Sequence, residues 1–235
     1  MSKKGGYWIS ISDIMSAMMI VFLFISVAFL AELQEQQKTT DQLVQGYSDT
    51  KGDITKALHT EFDKDLNRWG ATLDDENMSI SFEDPDALFA QGSAELSPRF
   101  QEILNDFLPR YIELITRPEY KDEIQEVSIE GHTSSEWDGE TETDNSYFNN
   151  MRLSQQRTRA VLQYMFKEFP LNPDNKAWMM EKITANGLSY SQRKYMPDGH
   201  EDMQKSRRVE FRIRTNSEEL MKKLEKLKDH NDKVH

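Results

Sequence analysis

The stretch "YWISISDIMSAMMIVFLFISVAFL", residues 7–30, decides the architecture because it is long and apolar enough to cross a membrane. From Ile9 to Ala31, Asp13 is the only ionisable residue, and the other polar side chains are serines. A helix rises about 1.5 Å per residue, so this segment spans a hydrocarbon core of roughly 30 Å. A cleaved signal peptide fits less well, because the run is long, contains an acid and precedes no small-residue cleavage site. We predict one transmembrane helix over residues 9–31.

The rest of the chain is polar and acidic. The 235 residues include 30% charged residues, carry a formal net charge of -12 and contain no cysteine. This balance argues against nucleic acid as a partner, since a phosphate backbone requires a basic surface. Lys3 and Lys4 lie in the leader, residues 1–8, whereas Glu32 and Glu35 follow the span. The positive-inside tendency therefore predicts a single-pass protein of the bacterial inner membrane, with a cytoplasmic N-terminus and a periplasmic C-terminal domain.

Asp13 is the unusual residue of the span. A charged carboxylate in hydrocarbon costs several kcal/mol, so intramembrane acids usually face another helix or a water-filled path. Ser10, Ser16 and Ala17 lie three or four residues from Asp13 and form a small, mildly polar stripe beside it. The alternative is hydration at the membrane surface, because Asp13 lies roughly 6 Å inside Ile9. We favour a functional acid, which requires a partner with further membrane helices.

The segment "YWISISDIMSAMMIVFLF" resembles the transmembrane segment of MotB-type stator subunits. The shared features are aromatic residues, then Asp, a hydroxyl-bearing residue after Met, and a Met pair. In that family the aspartate binds the proton, and two copies lie inside a ring of a multi-span partner that proton flow turns. The resemblance implies that Asp13 binds a proton, that this chain is a homodimer, and that a MotA-like membrane subunit surrounds it.

Residues 32–77 are predicted to be a connector, in which Gly46 and Gly52 should interrupt any helix. Its second half has apolar residues at helical spacing, which predicts an amphipathic helix. Two interpretations remain open: the helix packs on the following domain or on its own copy, or it is a plug lying on the membrane near the channel. We favour packing. The apolar residues are Ile54, Leu58, Phe62, Leu66 and Trp69.

Residues 78–215 follow the pattern strand, helix, strand, helix, strand, strand. This order predicts an α+β fold, an α/β sandwich with helices on one face of a small sheet. Ser97 and Pro98 suit the start of the first helix, and Pro109 is expected to kink or end it. The second helix is predicted to begin near Asn150, after an acidic loop. Residues 216–235 are predicted to form a helical tail.

The segments "ALFAQGSAELSP", "IEGHTS", "NNMRLSQQRTRAV" and "SRRVEFRI" resemble the OmpA-like peptidoglycan-binding domain over residues 78–215. In that family the loop after "GHT" and the start of the next helix bind the peptide stem of peptidoglycan. The resemblance implies a peptidoglycan site at Thr133, Asn150, Leu153 and Arg157. The chemistry fits, because a guanidinium pairs bidentately with a carboxylate and a helix N-terminus supplies N–H donors.

One position departs from that family. Ser134 stands where the family usually has an aspartate for the amino group of the stem's diamino acid. Either Glu136 or Asp138 replaces that acid, or the pocket is weaker or reads another stem. The acids of residues 136–144 do not match a calcium loop, and the five histidines lack metal-ligand spacing. We predict no catalytic site, no metal and no cofactor, and therefore no enzyme.

Two motor systems use subunits of this plan, the flagellar stator and the Zorya anti-phage defence system. The short leader, Ser134, and "DIMSAMM" followed by "IVFLFISV" favour the second. We therefore interpret the chain as a cell-wall-anchored, proton-conducting subunit of a rotary motor in antiviral defence. The alternatives are a flagellar MotB-type subunit and a non-motor peptidoglycan tether. The sequence does not distinguish protons from sodium ions as the coupling ion.

Overall fold

A computed structural model of the protein describes residues 4–83, 88–90, 92–169, 172–216 and 218. The chain divides into two compact units, Met1–Tyr47 and Ser48–His235, and each is described by itself. Residues 1–3 of the predicted leader and the predicted helical tail from residue 219 onward lie outside the described residues. The side chain of Ser10 lies outside them as well.

Helix α1, Lys4–Trp69, begins in the first unit and contains the predicted span. Among the described residues, one helix is long and apolar enough to cross a membrane, and it is this one. Its apolar side chains are exposed in the isolated chain, with Phe22 at 71%, as a lipid-facing surface requires. The predicted interruptions at Gly46 and Gly52 are wrong, since α1 continues through both. A single glycine costs a helix only about 1 kcal/mol, which the surrounding helix-forming residues outweigh.

The second unit contains, within the described residues, a five-stranded sheet in the order β1-β2-β7-β3-β6. Only the β3–β6 pair is parallel, and the other neighbours are antiparallel. The predicted α+β class is confirmed. The strands are β1 (Ala71–Asp74), β2 (Ser79–Phe82), β3 (Ile124–His132), β6 (Ile183–Gly187) and β7 (Arg208–Thr215), and a separate hairpin pairs β4 (Glu136–Trp137) with β5 (Glu140–Thr141).

Of the described helices that begin in this unit, four begin at a side-chain cap, and the short helix Pro118–Lys121 does not. Ser97 caps the first, as predicted, and its Oγ accepts a hydrogen bond from Phe100 N at 3.0 Å. Pro109 was predicted to kink or end this helix. The helix does not end there, because it runs on to Ile115. Burial of the apolar face around Pro109 outweighs a local cost of about 3 kcal/mol. The helices are α2 (Pro98–Ile115), α3 (Pro118–Lys121), α4 (Asp144–Glu168), α5 (Pro173–Lys182) and α6 (Met203–Ser206).

An aromatic cluster centred on Phe107 of α2 joins the sheet to the end of α1. The ring centroid of Phe107 lies 5.3 Å from that of Phe62, 5.2 Å from Phe82 and 5.0 Å from Phe211. Phe62 is fully buried, as are Ile54 and Leu58 on the same face of α1. In the structure, therefore, the apolar face of this amphipathic segment packs on the domain.

The other face of the sheet is polar. On β3 and β7 the side chains alternate, so that Glu130 lies on this face together with His132 and Arg214. Arg214 donates hydrogen bonds to Glu126 at 2.9 Å and to Glu130 at 3.1 Å. Burial raises the pKa of Glu130. Among the described helices, α2 and α4 pack on the opposite, apolar face, where Phe107 contacts Phe211 and Thr158 lies beside Gly131.

Candidate ligand-binding pocket

The four residues predicted to bind peptidoglycan meet in one cavity of about 550 Å³ in the second unit. Three come from α4 and one from the loop after β3. Their convergence is a structural result, because the sequence separates them into two segments. The lining residues are Gly92, Thr133, Ser134, Glu136, Trp137, Asp138, Asn150, Leu153, Arg157 and Arg207.

Helix α4 supplies one wall. Asn150, Leu153 and Arg157 are separated by three and four residues, so they share one face of the helix. The helix begins at Asp144, six residues before the predicted start near Asn150. Its cap is reciprocal: Ser146 N donates to Thr143 Oγ1 at 3.1 Å, and Thr143 N donates to Ser146 Oγ at 3.0 Å.

Two glycines hold α4 close to the sheet. A Cβ on Gly131 of β3 would lie 2.7 Å from Thr158 Cγ2 and 2.8 Å from Ser154 O. A Cβ on Gly187 of β6 would collide with the backbone N of Gln155 and lie 2.7 Å from its Cα. No larger side chain fits at either position without a displacement of α4. The glycines of "EGHT" and "ANGLS" therefore set the position of the pocket wall.

Arg157 is fixed at the base of the pocket. The residue is only 8% exposed, and its Nε donates to the carbonyl of Ser93 at 2.9 Å. Its Cζ lies 4.7 Å from the ring centroid of Phe89, a cation–π contact. The guanidinium is thus oriented by packing and by hydrogen bonding, which suits it to receive an anionic group.

The loop after β3 is anchored through its backbone. Thr133 N donates to Ser189 O at 2.9 Å, and Ser189 N donates to Ser154 Oγ on α4 at 3.1 Å. Ser135 donates from its N and Oγ to the carboxylate of Glu201, at 3.1 and 2.5 Å. Thr133 itself is 3% exposed, and its Oγ1 makes no hydrogen bond with the residues that the structure describes.

The segment predicted as an acidic loop contains the β4–β5 hairpin, which forms the opposite wall of the pocket. Asp138 and Gly139 form its two-residue turn, with φ angles of 51° and 79°. Asn150 Nδ2 donates to Glu136 O at 3.2 Å and ties the hairpin to α4. The sequence carried the signal, because Asp-Gly between two short segments is typical of such a hairpin. Trp137 consequently lines the pocket.

Residues 88–207, which include every lining residue of the pocket, match the OmpA family. Over 222 residues the chain is 41% identical to the Zorya protein ZorB of Escherichia coli strain ATCC 8739, covering 94% of this chain and 93% of that protein. The chain belongs to the ZorB family. A second Zorya protein ZorB, from Escherichia coli O139:H28, is 28% identical over 214 residues, 88% of this chain and 79% of that protein.

Two solved structures resemble this ZorB-family chain. A MotB-like protein of Desulfovibrio vulgaris aligns with a TM-score of 0.48 at 20% identity, covering 74% of this chain and 98% of that one. The cell-wall anchor of the T6SS of Pseudomonas aeruginosa aligns with a TM-score of 0.45 at 20% identity, covering 68% of this chain and 97% of that one.

Asp13, the predicted proton-binding residue of this ZorB-family chain, lies on α1 in the first unit. It is exposed in the isolated chain, as are Ser16 and Ala17 of the predicted stripe. A charged carboxylate in contact with lipid tails costs several kcal/mol, so an acid among apolar side chains usually contacts another polar group or water.

The sequence did not predict three residues that line the pocket of this ZorB-family chain, Gly92, Trp137 and Arg207. Arg207 follows α6 and directly precedes Arg208, and nothing in the pattern "SRRVEFRI" separates their roles. In the structure Arg208 is buried and donates to Glu210 at 3.1 Å, whereas Arg207 lines the pocket.

Proposed function

We propose that this chain is the cell-wall-anchored, proton-conducting subunit of an inner-membrane rotary motor, the ZorB component of Zorya anti-phage defence. The observation that carries the proposal is the convergence of Thr133, Asn150, Leu153 and Arg157 in one pocket of an OmpA-family domain. The same chain contains a helix long and apolar enough to span a membrane. The role is structural and ion-conducting, with no catalytic site.

The pocket is proposed to hold the peptide stem of peptidoglycan. Arg157 pairs with a stem carboxylate, and the orientation of its guanidinium by Ser93 and Phe89 lowers the entropic cost of that pairing. Asn150 positions the hairpin wall, Leu153 provides an apolar contact, and the buried hydroxyl of Thr133 donates or accepts one hydrogen bond.

Asp13 is proposed to take up and release the transported proton. Two copies of the chain pair through the small residues beside Asp13, inside a ring of a multi-span MotA/ZorA-like subunit. The N-terminus lies in the cytoplasm and the OmpA-family domain in the periplasm, where it reaches the cell wall. Cysteine pairs introduced along residues 9–20 should crosslink with helical periodicity, and uniform crosslinking would contradict the pairing.

The anchoring role is tested with the full-length chain in detergent and purified peptidoglycan sacculi. Arg157→Ala should reduce cosedimentation, because losing a hydrogen bond between charged groups typically costs about 1.5–3 kcal/mol. Arg152→Ala is the matched control, since Arg152 is an exposed arginine of α4 outside the pocket lining. Equal sedimentation of both variants with wild type would refute the anchoring role.

The ion-conducting role is tested in the assembled complex. Asp13→Asn preserves size and removes the titratable group, so it should abolish proton flux and protection against phage while leaving assembly intact. Asp41→Asn, an exposed acid further along α1, should change neither. Persistent flux in Asp13→Asn would exclude Asp13 as the proton carrier.

Defence and motility are separated by deleting the gene in its host. The proposal expects higher phage plating efficiency with unchanged swimming. Loss of swimming without an effect on phage would instead establish the flagellar alternative.

A further inference from the structure

We infer that Arg193 is a positioning residue of the pocket: it lies outside the lining and holds the hairpin wall and the loop after β3 in place beside α4. The inference rests on the proposed function, because it concerns how the same pocket keeps the shape that binds. Arg193 itself touches no ligand and acts through the residues that it holds.

The hairpin wall needs contacts with the rest of the domain to keep its position. Strands β4 and β5 have two residues each, and a hairpin of that length is at best marginally stable by itself. Asn150 Nδ2 donates to Glu136 O at 3.2 Å, and Asn145 Nδ2 donates to the carboxylate of Glu140 at 3.3 Å. Both hydrogen bonds lead to the N-terminal part of α4. A contact that leads elsewhere in the domain comes from Glu142, the residue that follows β5.

Arg193 supplies the partner of Glu142. Its Nη1 donates a hydrogen bond to Glu142 Oε1. Two aromatic rings orient the guanidinium, because its Cζ lies 5.6 Å from the ring centroid of Tyr190 and 5.7 Å from that of Tyr195. A guanidinium that is already oriented loses less conformational entropy when it forms an ion pair. Arg193 therefore fixes the end of the hairpin.

The same guanidinium reaches the loop after β3 through Glu201. Nη1 of Arg193 lies 4.0 Å from Glu201 Oε2. The Glu201 carboxylate accepts hydrogen bonds from Ser135 N and Oγ, directly after the pocket-lining Ser134. Glu142 and Glu201 thus approach one cationic nitrogen from two walls. Without that cation, two like charges would face each other and repel.

Tyr190 extends the network to α4. Its ring centroid lies 5.5 Å from that of Tyr147, with the ring planes at 87°. Ser189 Oγ donates to Tyr147 O at 3.1 Å, and Tyr147 lies in the first turn of α4. All three walls of the pocket are therefore connected through Arg193. An isolated surface ion pair stabilises little, whereas a network in fixed geometry contributes more.

This network is separate from the hydrophobic core. Glu142, Tyr190 and Arg193 lie outside the buried core around Phe107, and the Glu142 side chain is 62% exposed. Loss of Arg193 should therefore loosen the walls of the pocket while the domain stays folded. Local opening of this kind exposes backbone N–H groups to exchange without global unfolding.

Hydrogen–deuterium exchange of the full-length chain in detergent, followed by mass spectrometry, tests the positioning role. In Arg193→Gln, exchange should accelerate in residues 136–142 and in residues 133–135. Cosedimentation with peptidoglycan sacculi should weaken by roughly 3- to 30-fold. In Glu142→Gln, only residues 136–142 should exchange faster, because the contact between Arg193 and Glu201 remains. Arg193→Lys keeps the charge without the planar guanidinium and should give intermediate effects.

Arg68→Gln is the matched control. Arg68 likewise pairs with two acids, Asp65 and Asp106, and its Cζ lies 5.9 Å from the ring centroid of Trp69. Its loss should leave both exchange in residues 133–142 and sacculus binding unchanged.

Three results for Arg193→Gln would overturn the inference: unchanged exchange, unchanged sacculus binding, or faster exchange throughout the second unit, which indicates a purely structural role. The same loosening of residues 133–142 in Arg68→Gln would overturn it as well. If wild type did not bind sacculi, the proposed function would be wrong, and the exchange data would still decide whether Arg193 holds the two walls.

Discussion

The close approach of Gly187 to α4 makes a quantitative prediction about the pocket. In Gly187→Ala, the new Cβ would lie 2.7 Å from Gln155 Cα and would also collide with the backbone N of Gln155. Carbon atoms in contact require about 3.5 Å, so the helix must retreat by roughly 0.8 Å. Backbone atoms cannot rotate away as the end of a side chain does. The substitution therefore displaces α4, which carries three of the pocket residues.

Overpacking of this kind typically lowers the free energy of unfolding by about 1–3 kcal/mol. Alanine offsets part of this loss, because it has fewer conformations than glycine in the unfolded chain. We expect a net loss of about 2 kcal/mol. In a unit of this size, that lowers the melting temperature by about 4–8 °C. Thermal unfolding of the full-length chain in detergent, followed by fluorescence of the buried Trp69 and Trp178, measures it. Sacculus binding should weaken in parallel, because Arg157 moves with α4.

Gly52→Ala is the matched control. Gly52 lies within α1, and a Cβ there meets nothing within 4 Å. Alanine should leave stability unchanged or raise it by up to about 1 kcal/mol. Equal melting temperatures for Gly187→Ala and Gly52→Ala would refute the argument that glycine sets the distance between α4 and the sheet.

Further predictions concern charged groups of the second unit. Hydrogen bonds that the protonated His59 ring donates to Asp63, at 2.7 Å, and to Asp75, at 2.8 Å, raise the pKa of His59 above 6.5. These hydrogen bonds therefore stabilise the fold fully below pH 6.5, and their contribution is lost as the pH rises through the raised pKa of His59. In His59→Gln, the free energy of unfolding in urea should depend less on pH above pH 6.5. Burial, together with a neighbouring arginine, lowers the pKa of His132 to about 3. Stability should thus fall as the pH drops from 6.5 towards 3, while NMR shows a neutral His132 ring at pH 5. Arg110→Met, which removes ion pairs of 2.7 and 2.8 Å to two acids of α1, should cost about 1–2 kcal/mol in urea unfolding.

The sequence predicted the features that depend on residues close to one another in the chain. The apolar run around Asp13 needs only length and composition to be recognised as a span. The α+β class follows from the order of alternating and helical patterns. The pocket residues of α4 were predicted from the resemblance of "NNMRLSQQRTRAV" to the OmpA-like domain. In the structure their spacing of three and four places Asn150, Leu153 and Arg157 on one helix face.

The features that the sequence did not predict depend on tertiary packing. Gly46 and Pro109 are local helix breakers, yet both lie inside helices, because a few kcal/mol of propensity is smaller than the stabilisation from the rest of each helix. The β4–β5 hairpin was not predicted, because its acidic residues are typical of an exposed loop and drew attention away from the Asp-Gly turn. Arg207 could not be separated from Arg208 without knowing which side of β7 faces the pocket.

Packing within the second unit connects the C-terminal end of α1 to the pocket beside α4. The last turns of α1 are buried through Phe62, which contacts Phe107 of α2, and Phe107 in turn contacts Phe211 of β7. The sheet then meets α4 at Gly131 and Gly187, where a Cβ would clash with backbone atoms of Ser154 and Gln155. Close-packed interiors have low compressibility and transmit strain. Under the proposed function, a pocket held by the cell wall would therefore hold the end of α1 as well. The load on the anchor would pass through packed aromatic rings and backbone contacts instead of a flexible linker.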